Sequence, residues 1–427
     1  MTLQYYDPAL LPGRDDISKI GYANGSTLLF RANPASPAVV FRGYLPGGSI
    51  CNPPEKAGLA GFTARMLLMG TQGKSFKKLH DKIETIGASL GLGAGSLSLT
   101  FGGQCLRDDL PIFLDLLLEV LTQPTFPRAQ LDRLKAQTLA TIDMQSQDTG
   151  EMASQAFDRL FYRDHPYSIP DLGTLQSVSS INRSDCRQFL NKHISPNGLV
   201  MAVSGGVEFG FVHSAFETTF ARWEKQSQPQ PELPPFTAPT TEAREHVTLE
   251  EKSQTDLIIG TLAPKAFSED YYPVLLGNSI LGQFGMMGRI GESVRERAGL
   301  AYYAQTNLAS GLGPVPWQVI AGVNPNNLQK ASDLIRLELR RFTSEPVSEE
   351  ELLEVRSQAI GRLPLSVESN AGITQHLLSI ERYQLDPDHL RKLPDTLKQV
   401  TAEKILEAAR NYWNLDSLII TSAGRAL

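Results

Sequence analysis

The sequence predicts an α+β protein of two tandem domains of like fold, each a largely antiparallel sheet with helices packed on one face. Three observations carry that expectation. The chain repeats itself once: Arg107–Ile142 (RDDLPIFLDLLLEVLTQPTFPRAQLDRLKAQTLATI) and Asn324–Leu363 (NPNNLQKASDLIRLELRRFTSEPVSEEELLEVRSQAIGRL) follow one pattern, about 220 residues apart. In each, an amphipathic helix stops near a proline (Pro124, Pro346). A second helix begins after a polar cap, with Leu131, Leu134 and Gln137 matching Leu352, Val355 and Gln358. Between the halves, EKQSQPQPELPPFTAPTTEA (224–243) carries prolines that fix φ and remove amide donors, which makes an extended, semi-rigid connector. Strand-like and helix-like segments also come in runs without strict βαβ alternation. The domains are therefore drawn at 1–223 and 244–427, with 224–243 as the linker.

In the first half, short apolar runs place strands at Ser26–Arg31 and Val39–Leu45. Helices are expected at Leu59–Met69 and Ser75–Ile86, then a strand at Ser96–Phe101. Four more helices follow, at Leu110–Leu121, Arg128–Ser146, Met152–Leu160 and Arg183–Phe189, each with an apolar stripe to bury on the sheet. The half closes on strand Leu199–Val203 and the small residues after it (LVMAVSGG), a pattern repeated in LIITSAG at Leu418–Gly424. In the second half, Gly291–Arg297 reads as a short helix and Ala301–Thr306 as a strand.

A chain of 427 residues exceeds one ordinary core, and 41% hydrophobic with 20% charged residues is the composition of a soluble globular protein. A net charge of −6 argues against a nucleic-acid surface, and no apolar run is long enough to cross a bilayer. Residues Met1–Gly21 show neither a basic n-region nor an apolar h-region, and Cys51, Cys105 and Cys186 form no C-x-x-C pair. Both features suit a reducing cytoplasm, although a mature chain trimmed of an export signal reads the same way. The seven histidines include no pair at the three- or four-residue spacing that puts two ligands on one helix face.

Residues Gly58–Thr71 read GLAGFTARMLLMGT. With Asn24–Gly25, Gly47–Gly48, IGAS at Ile86–Ser89, and RDHPY at Arg163–Tyr167 followed by Gly173, this order resembles the pitrilysin/insulinase family of zinc peptidases over nearly the whole chain. The resemblance implies two tandem domains of like fold, and two such chains facing each other around a chamber. Active relatives carry H-x-x-E-H between the same GLA and ML…GT; here those five positions are Gly61, Phe62, Thr63, Ala64 and Arg65. The family's third ligand is a glutamate six residues before an aspartate, which with Asp148 maps to Ile142. A catalytic zinc needs three donors and an open position, and the glutamate serves as general base on its water. Gly61, Ala64 and Ile142 offer no donor and Arg65 offers a permanent cation, so no metal is expected in this chain.

The second half retains chemistry. GNSILGQFGMMGRIGESVRERAGLAYYAQ (277–305) lacks the GK[ST] of a P-loop and the G-x-G-x-x-G of a dinucleotide loop. Its glycines at 282, 285 and 288 serve either turn and packing needs or close approach of the backbone to a bound peptide. Arg295 near the helix end and Tyr302 early in the strand fit dipole compensation and ordinary strand composition. The resemblance implies another role: the pair matches an arginine and a tyrosine that reach across the chamber and hydrogen-bond substrate at the facing half's zinc site. Tyr303 should point to the other face of its strand. In SLGLGAGSLSLTFGG (89–103), Leu97 and Leu99 mark a strand edge that could pair with a peptide segment.

The resemblance thus implies a non-catalytic subunit, processing-peptidase-like, that supplies Arg295, Tyr302 and half the chamber to a homologue holding the zinc. Substrates would be peptides or unfolded segments, with no membrane partner. The alternative is a structural scaffold like the peptidase-derived core subunits of respiratory complexes. An independent hydrolase is disfavoured, since no G-x-S-x-G elbow or other nucleophile-plus-base cluster occurs.

Overall fold

The computed structural model describes residues 7–226, 229, 232–285 and 287–425. Six strands, β1 (Ser18–Gly21), β2 (Thr27–Ala32), β3 (Ala38–Pro46), β4 (Ser89–Ala94), β5 (Ser98–Leu106) and β6 (Val200–Gly205), form a sheet in the order β1-β2-β6-β3-β5-β4. Five more, β7 (Ala243–Thr248), β8 (Thr255–Leu262), β9 (Ala301–Leu308), β10 (Pro316–Val323) and β11 (Ile419–Gly424), form a second in the order β7-β11-β8-β10-β9. Only β2·β6 and β7·β11 pair parallel; the other pairs run antiparallel. Removing β1 makes the two sheets match strand for strand, including the site of the parallel pair. The duplication visible in the sequence is therefore a duplication of topology.

The two-domain α+β architecture matches the expectation. The first sheet buries Phe30, Phe41, Leu99 and Phe101 under Phe62, Phe113, Leu117 and Phe216 from its own helices. The second buries Leu257, Val319 and Ala321 under Ile280, Ile335, Phe342 and Trp413. Helices Leu110–Thr122 and Leu328–Ser344 both stop two residues before their prolines, Pro124 and Pro346. The following helices, Arg128–Gln145 and Glu349–Ser366, also correspond, the second closed by a capping box from Ser348 and Glu351.

What no local pattern announced is an exchange of helices. Thr149–Tyr162 belongs to the first half but lies against β7, β11 and β8, where Ala153, Phe157 and Phe161 pack on Ile258, Ile419 and Ala423. Its counterpart Asn370–Tyr383 belongs to the second half but lies against β2, β6 and β3, with Ile373, Leu377 and Leu378 on Leu29, Val200 and Ala202. Each sheet thus carries its own helices on one face, as expected, and a borrowed one on the other. No strand was expected at β1, β7, β8 or β10. SLGLGA (β4), inside the segment expected to hold a strand edge, alternates glycine with leucine and has no β-branched residue; the strand expected at Ser96–Phe101 begins at Ser98 and runs to Leu106.

Candidate functional site

The five motif positions lie on helix Leu59–Leu67, whose N-cap Gly58 takes φ 88°, the left-handed region that favours glycine. Phe62, Thr63 and Ala64 are buried, while a Cβ added at Gly61 would meet open space. Arg65 reaches the neighbouring helix Arg128–Gln145, donating from Nη2 to Thr138 Oγ1 at 3.0 Å. Ile142 lies one turn beyond Thr138 on that helix and packs on the core. Arg65 therefore links the two helices on which the three mapped ligand positions lie. Burial lowers the Arg65 pKa, and no carboxylate of the described residues forms an ion pair with it. The donor set does not fit zinc: of the three ligand positions Gly61 has no side chain, Ile142 is aliphatic and Arg65 repels a divalent cation, and Ala64 stands where the general base would be. Among the described residues, no group of three or more His, Cys, Asp or Glu side chains is placed to hold a metal ion. His376 and His389 do approach each other, but His389 Nε2 lies 2.9 Å from Tyr272 Oη, and burial pushes His376 down to about 4.

In the second half, Gly288–Gly291 runs into a π-helical turn over Glu292–Arg297, the short helix expected there, and β9 follows. Met287, itself at φ 76°, links the two. Its sulfur accepts from Arg295 Nη1 (4.0 Å) and from the Ala304 amide (3.4 Å). Arg295 is thereby held beside the strand that carries Tyr302, at an irregularity where the register with β10 passes from Tyr303–Gly322 to Ala301–Val323 and leaves Tyr302 without a partner position. Apart from Met287, the Arg295 guanidinium has among the described residues one polar side-chain partner, its neighbour Glu296 (3.6 Å), and is 34% exposed. Tyr302 is 65% exposed and makes no hydrogen bond or ring contact among the described residues. Tyr303 does point to the opposite face. Its phenol donates to Asp256, which also accepts from Thr149 Oγ1 at the first turn of the borrowed helix and from Gln254 Nε2 (3.1 Å). Of two adjacent tyrosines, one is committed to the fold and one is left to solvent.

Several expected peptide contacts are corrected by burial. Leu99 is fully buried in the first core, so it cannot line a peptide edge; Leu97 sits half-buried in the turn between β4 and β5. At Gly282 a Cβ would lie 2.4 Å from the Thr306 amide nitrogen, and at Gly288 (φ 61°) 2.5 Å from the Ile280 carbonyl oxygen. Gly282 thus serves helix–strand packing, and Gly288 the close turn back onto the helix Tyr271–Gly282. Gly285 (φ 59°) alone of the three opens to solvent. No hydrogen bond or ion pair among the described residues joins positions 61–65 to Arg295 or Tyr302 within the chain.

The sequence reading missed a cavity of about 440 Å³ between the halves, lined by Gln145, Asp158, Tyr167, Asp171, Asn307 and Gln318 among others. Burial, with the neighbouring Asp171 and Glu151 charges, pushes Asp158 up to about 7. Nothing local in the sequence marks Asp158, because its neighbours arrive from the loop after its helix and from the other half's sheet.

Comparison with known proteins places these features. Residues 28–175 match the family described as insulinase (peptidase family M16), and residues 180–359 match the family's "peptidase M16 inactive domain". An uncharacterised zinc protease of Bacillus subtilis is 24% identical over 81% of this chain and 83% of its own. The β subunit of the mitochondrial-processing peptidase of Saccharomyces cerevisiae is 22% identical over 90% of this chain and 83% of its own. Among solved structures, a peptidase M16 inactive domain from Pseudomonas fluorescens superposes with a TM-score of 0.90 at 25% identity, covering 96% of this chain and 98% of that one. A chain of complex III from Candida albicans shares the fold, with a TM-score of 0.76 at 16% identity and 95% coverage of each.

Proposed function

Because the chain belongs to the insulinase (M16) peptidase family yet holds no zinc donor set at the family's ligand positions, we propose that it is the non-catalytic subunit of a two-chain peptidase. It completes the substrate site of a zinc-bearing homologue. The observation that carries this reading is the contrast at β9: Tyr303 is engaged by Asp256, whereas the Tyr302 side chain, close in sequence to the half-exposed Arg295, makes no hydrogen bond among the described residues. An exposed tyrosine whose side chain has no hydrogen-bond or ring partner among the described residues suits a partner's substrate. The lack of any bond between this pair and positions 61–65 suits a site completed across two chains.

In this role the Tyr302 phenol donates to the carbonyl oxygen of the peptide bond that the partner cuts, where negative charge develops. The Arg295 guanidinium offers paired donors to a neighbouring backbone carbonyl. Zinc and the general base reside in the partner, which supplies the hydrolytic chemistry. One such donor is worth about 3–4 kcal/mol of transition-state stabilisation, or on the order of a hundredfold or more in rate.

The experiment mixes the purified chain with its zinc-bearing relative and assays peptide cleavage. The mixture should exceed the relative alone. Tyr302→Phe and Arg295→Ala should each cut that gain about a hundredfold without weakening association. Association with no gain in cleavage, or a gain untouched by both variants, would sink the proposal in favour of the scaffold alternative.

A further inference from the structure

The borrowed helix Asn370–Tyr383 covers β2, β6 and β3 but stops there, leaving the same face of β5 and β4 open. The result is a trough of about 730 Å³ between that helix and the edge strand β4. Its floor follows the strand register. One transverse row is Arg42, Gly102 and Gly91 on β3, β5 and β4; the next is Tyr44, Thr100 and Gly93. The Arg42 side chain lies over Gly102, where an added Cβ would sit 3.4 Å from Arg42 Cγ.

The charge of the trough is one-sided. Arg42 and Arg382 line it, and no Asp or Glu does. Arg382 is 4.2 Å from the Tyr44 ring centroid and donates to Ser98 Oγ at 3.1 Å, yet forms no ion pair among the described residues. Arg42 forms neither a hydrogen bond nor an ion pair there. Glu381, the acid nearest Arg382 in the chain, is taken by Lys19 at 2.6 Å. Two half-buried guanidinium groups without counter-ions await an anion of matching geometry.

The glycines of the floor separate fold from function. At Gly43 and Gly103 an added Cβ would clash with backbone, so the fold requires them. At Gly91 it would meet nothing within 4 Å, and at Gly93 only Thr100 Oγ1 at 3.5 Å. Glycine inside a strand weakens it and often marks close approach by another backbone. No described residue fills the space above Gly91 and Gly93.

The corresponding place in the second half bears the opposite charge. Tyr162 and Tyr383 end the two exchanged helices, and one turn back stand Asp158 and Ser379. Asp158 lines the second cavity together with Glu151 and Asp171, and no Lys or Arg joins them. Duplicated architecture therefore does not dictate arginine in the first trough.

We propose that the trough beside β4 binds an extended peptide segment rich in carboxylates. Its backbone passes over Gly91 and Gly93 and its acidic side chains pair with Arg42 and Arg382. This assigns a substrate class to the function proposed above, but the binding needs no partner and is measured on the chain alone, so the two readings fail separately.

The test is fluorescence-anisotropy titration of the chain with a labelled, glutamate-rich peptide and with its lysine-for-glutamate counterpart, with inorganic phosphate as competitor. The glutamate peptide should bind at least about tenfold tighter, and added salt should weaken it. Arg42→Ala should reduce its affinity at least about tenfold. Gly91→Val should do the same while leaving the thermal midpoint unchanged or raised, since its Cβ enters open space on a strand. Equal binding of the two peptides, undiminished binding by Gly91→Val, or displacement by phosphate at the peptide's own concentration range would each overturn the proposal.

Discussion

At the scale of single residues, loss of metal chemistry is distributed over four positions and so is not reversed by one change. Arg65 is the informative one, because it occupies the place of a ligand and is anchored to Thr138 on the helix that would carry the third. Removing the charge with Arg65→His leaves Gly61 and Ile142 without donors, and one imidazole does not hold a catalytic zinc. The chain, and its Arg65→His variant, should therefore retain well below one equivalent of zinc after loading and desalting. Metal analysis reads this directly, and stoichiometric zinc in the unmodified chain would overturn the account of this site. Residue identity alone revealed this much, since a missing heteroatom is visible without coordinates. It did not reveal which glycines or leucines were free to meet a ligand. Leu97 and Leu99 look alike in sequence, and Gly282, Gly285 and Gly288 do too. Their fates differ through the Thr306 backbone, the Ile280 carbonyl and the first core, all set by distant chain.

At the scale of elements, the first half's long helices were legible and their partners were not, while Asn370–Tyr383 and other helices of the second half had no expectation at all. An amphipathic stripe records that a face is buried, and nothing about what buries it. Thr149–Tyr162 shows this: its stripe of Ala153, Phe157 and Phe161 would suit either sheet. The choice is made by complementary shape. Gly260 on β8 lacks the Cβ that would sit 2.7 Å from the Phe157 ring, and Phe157 stacks on Phe161 with centroids 5.3 Å apart. Phe157→Ala opens a cavity at this joint and should cost about 3–5 kcal/mol. Because the helix is covalently part of one half and packed on the other, the loss should lower a single calorimetric transition for the whole chain. Two separated transitions in the variant, with the first half's unchanged, would show that the exchange does not couple the halves. β4 marks the opposite limit of legibility. Its glycines hide a strand from propensity reasoning, since glycine is depleted in strands and leaves no side chain to pack.

At the scale of the whole molecule, one duplication has produced two equivalent clefts of opposite charge, and the acidic one imposes a pH dependence with a definite sign. Asp158 has an ordinary value of 3.8 and is pushed up to about 7 in the fold, chiefly by burial and then by the Asp171 and Glu151 charges. Between those values the folded chain keeps a proton that the unfolded chain releases, so stability falls as pH rises through the window and levels off above it. Discounted for the solvent that reaches the cleft, the loss is about 2 kcal/mol. The other half already contains the control, since Ser379 occupies the matching helix position. Asp158→Ser should therefore leave the chain as stable as the parent near pH 4 and more stable at pH 8, with a flatter profile between. Urea denaturation at a series of pH values measures this, and parallel profiles for parent and variant would mean that the charge on Asp158 is compensated within the cleft.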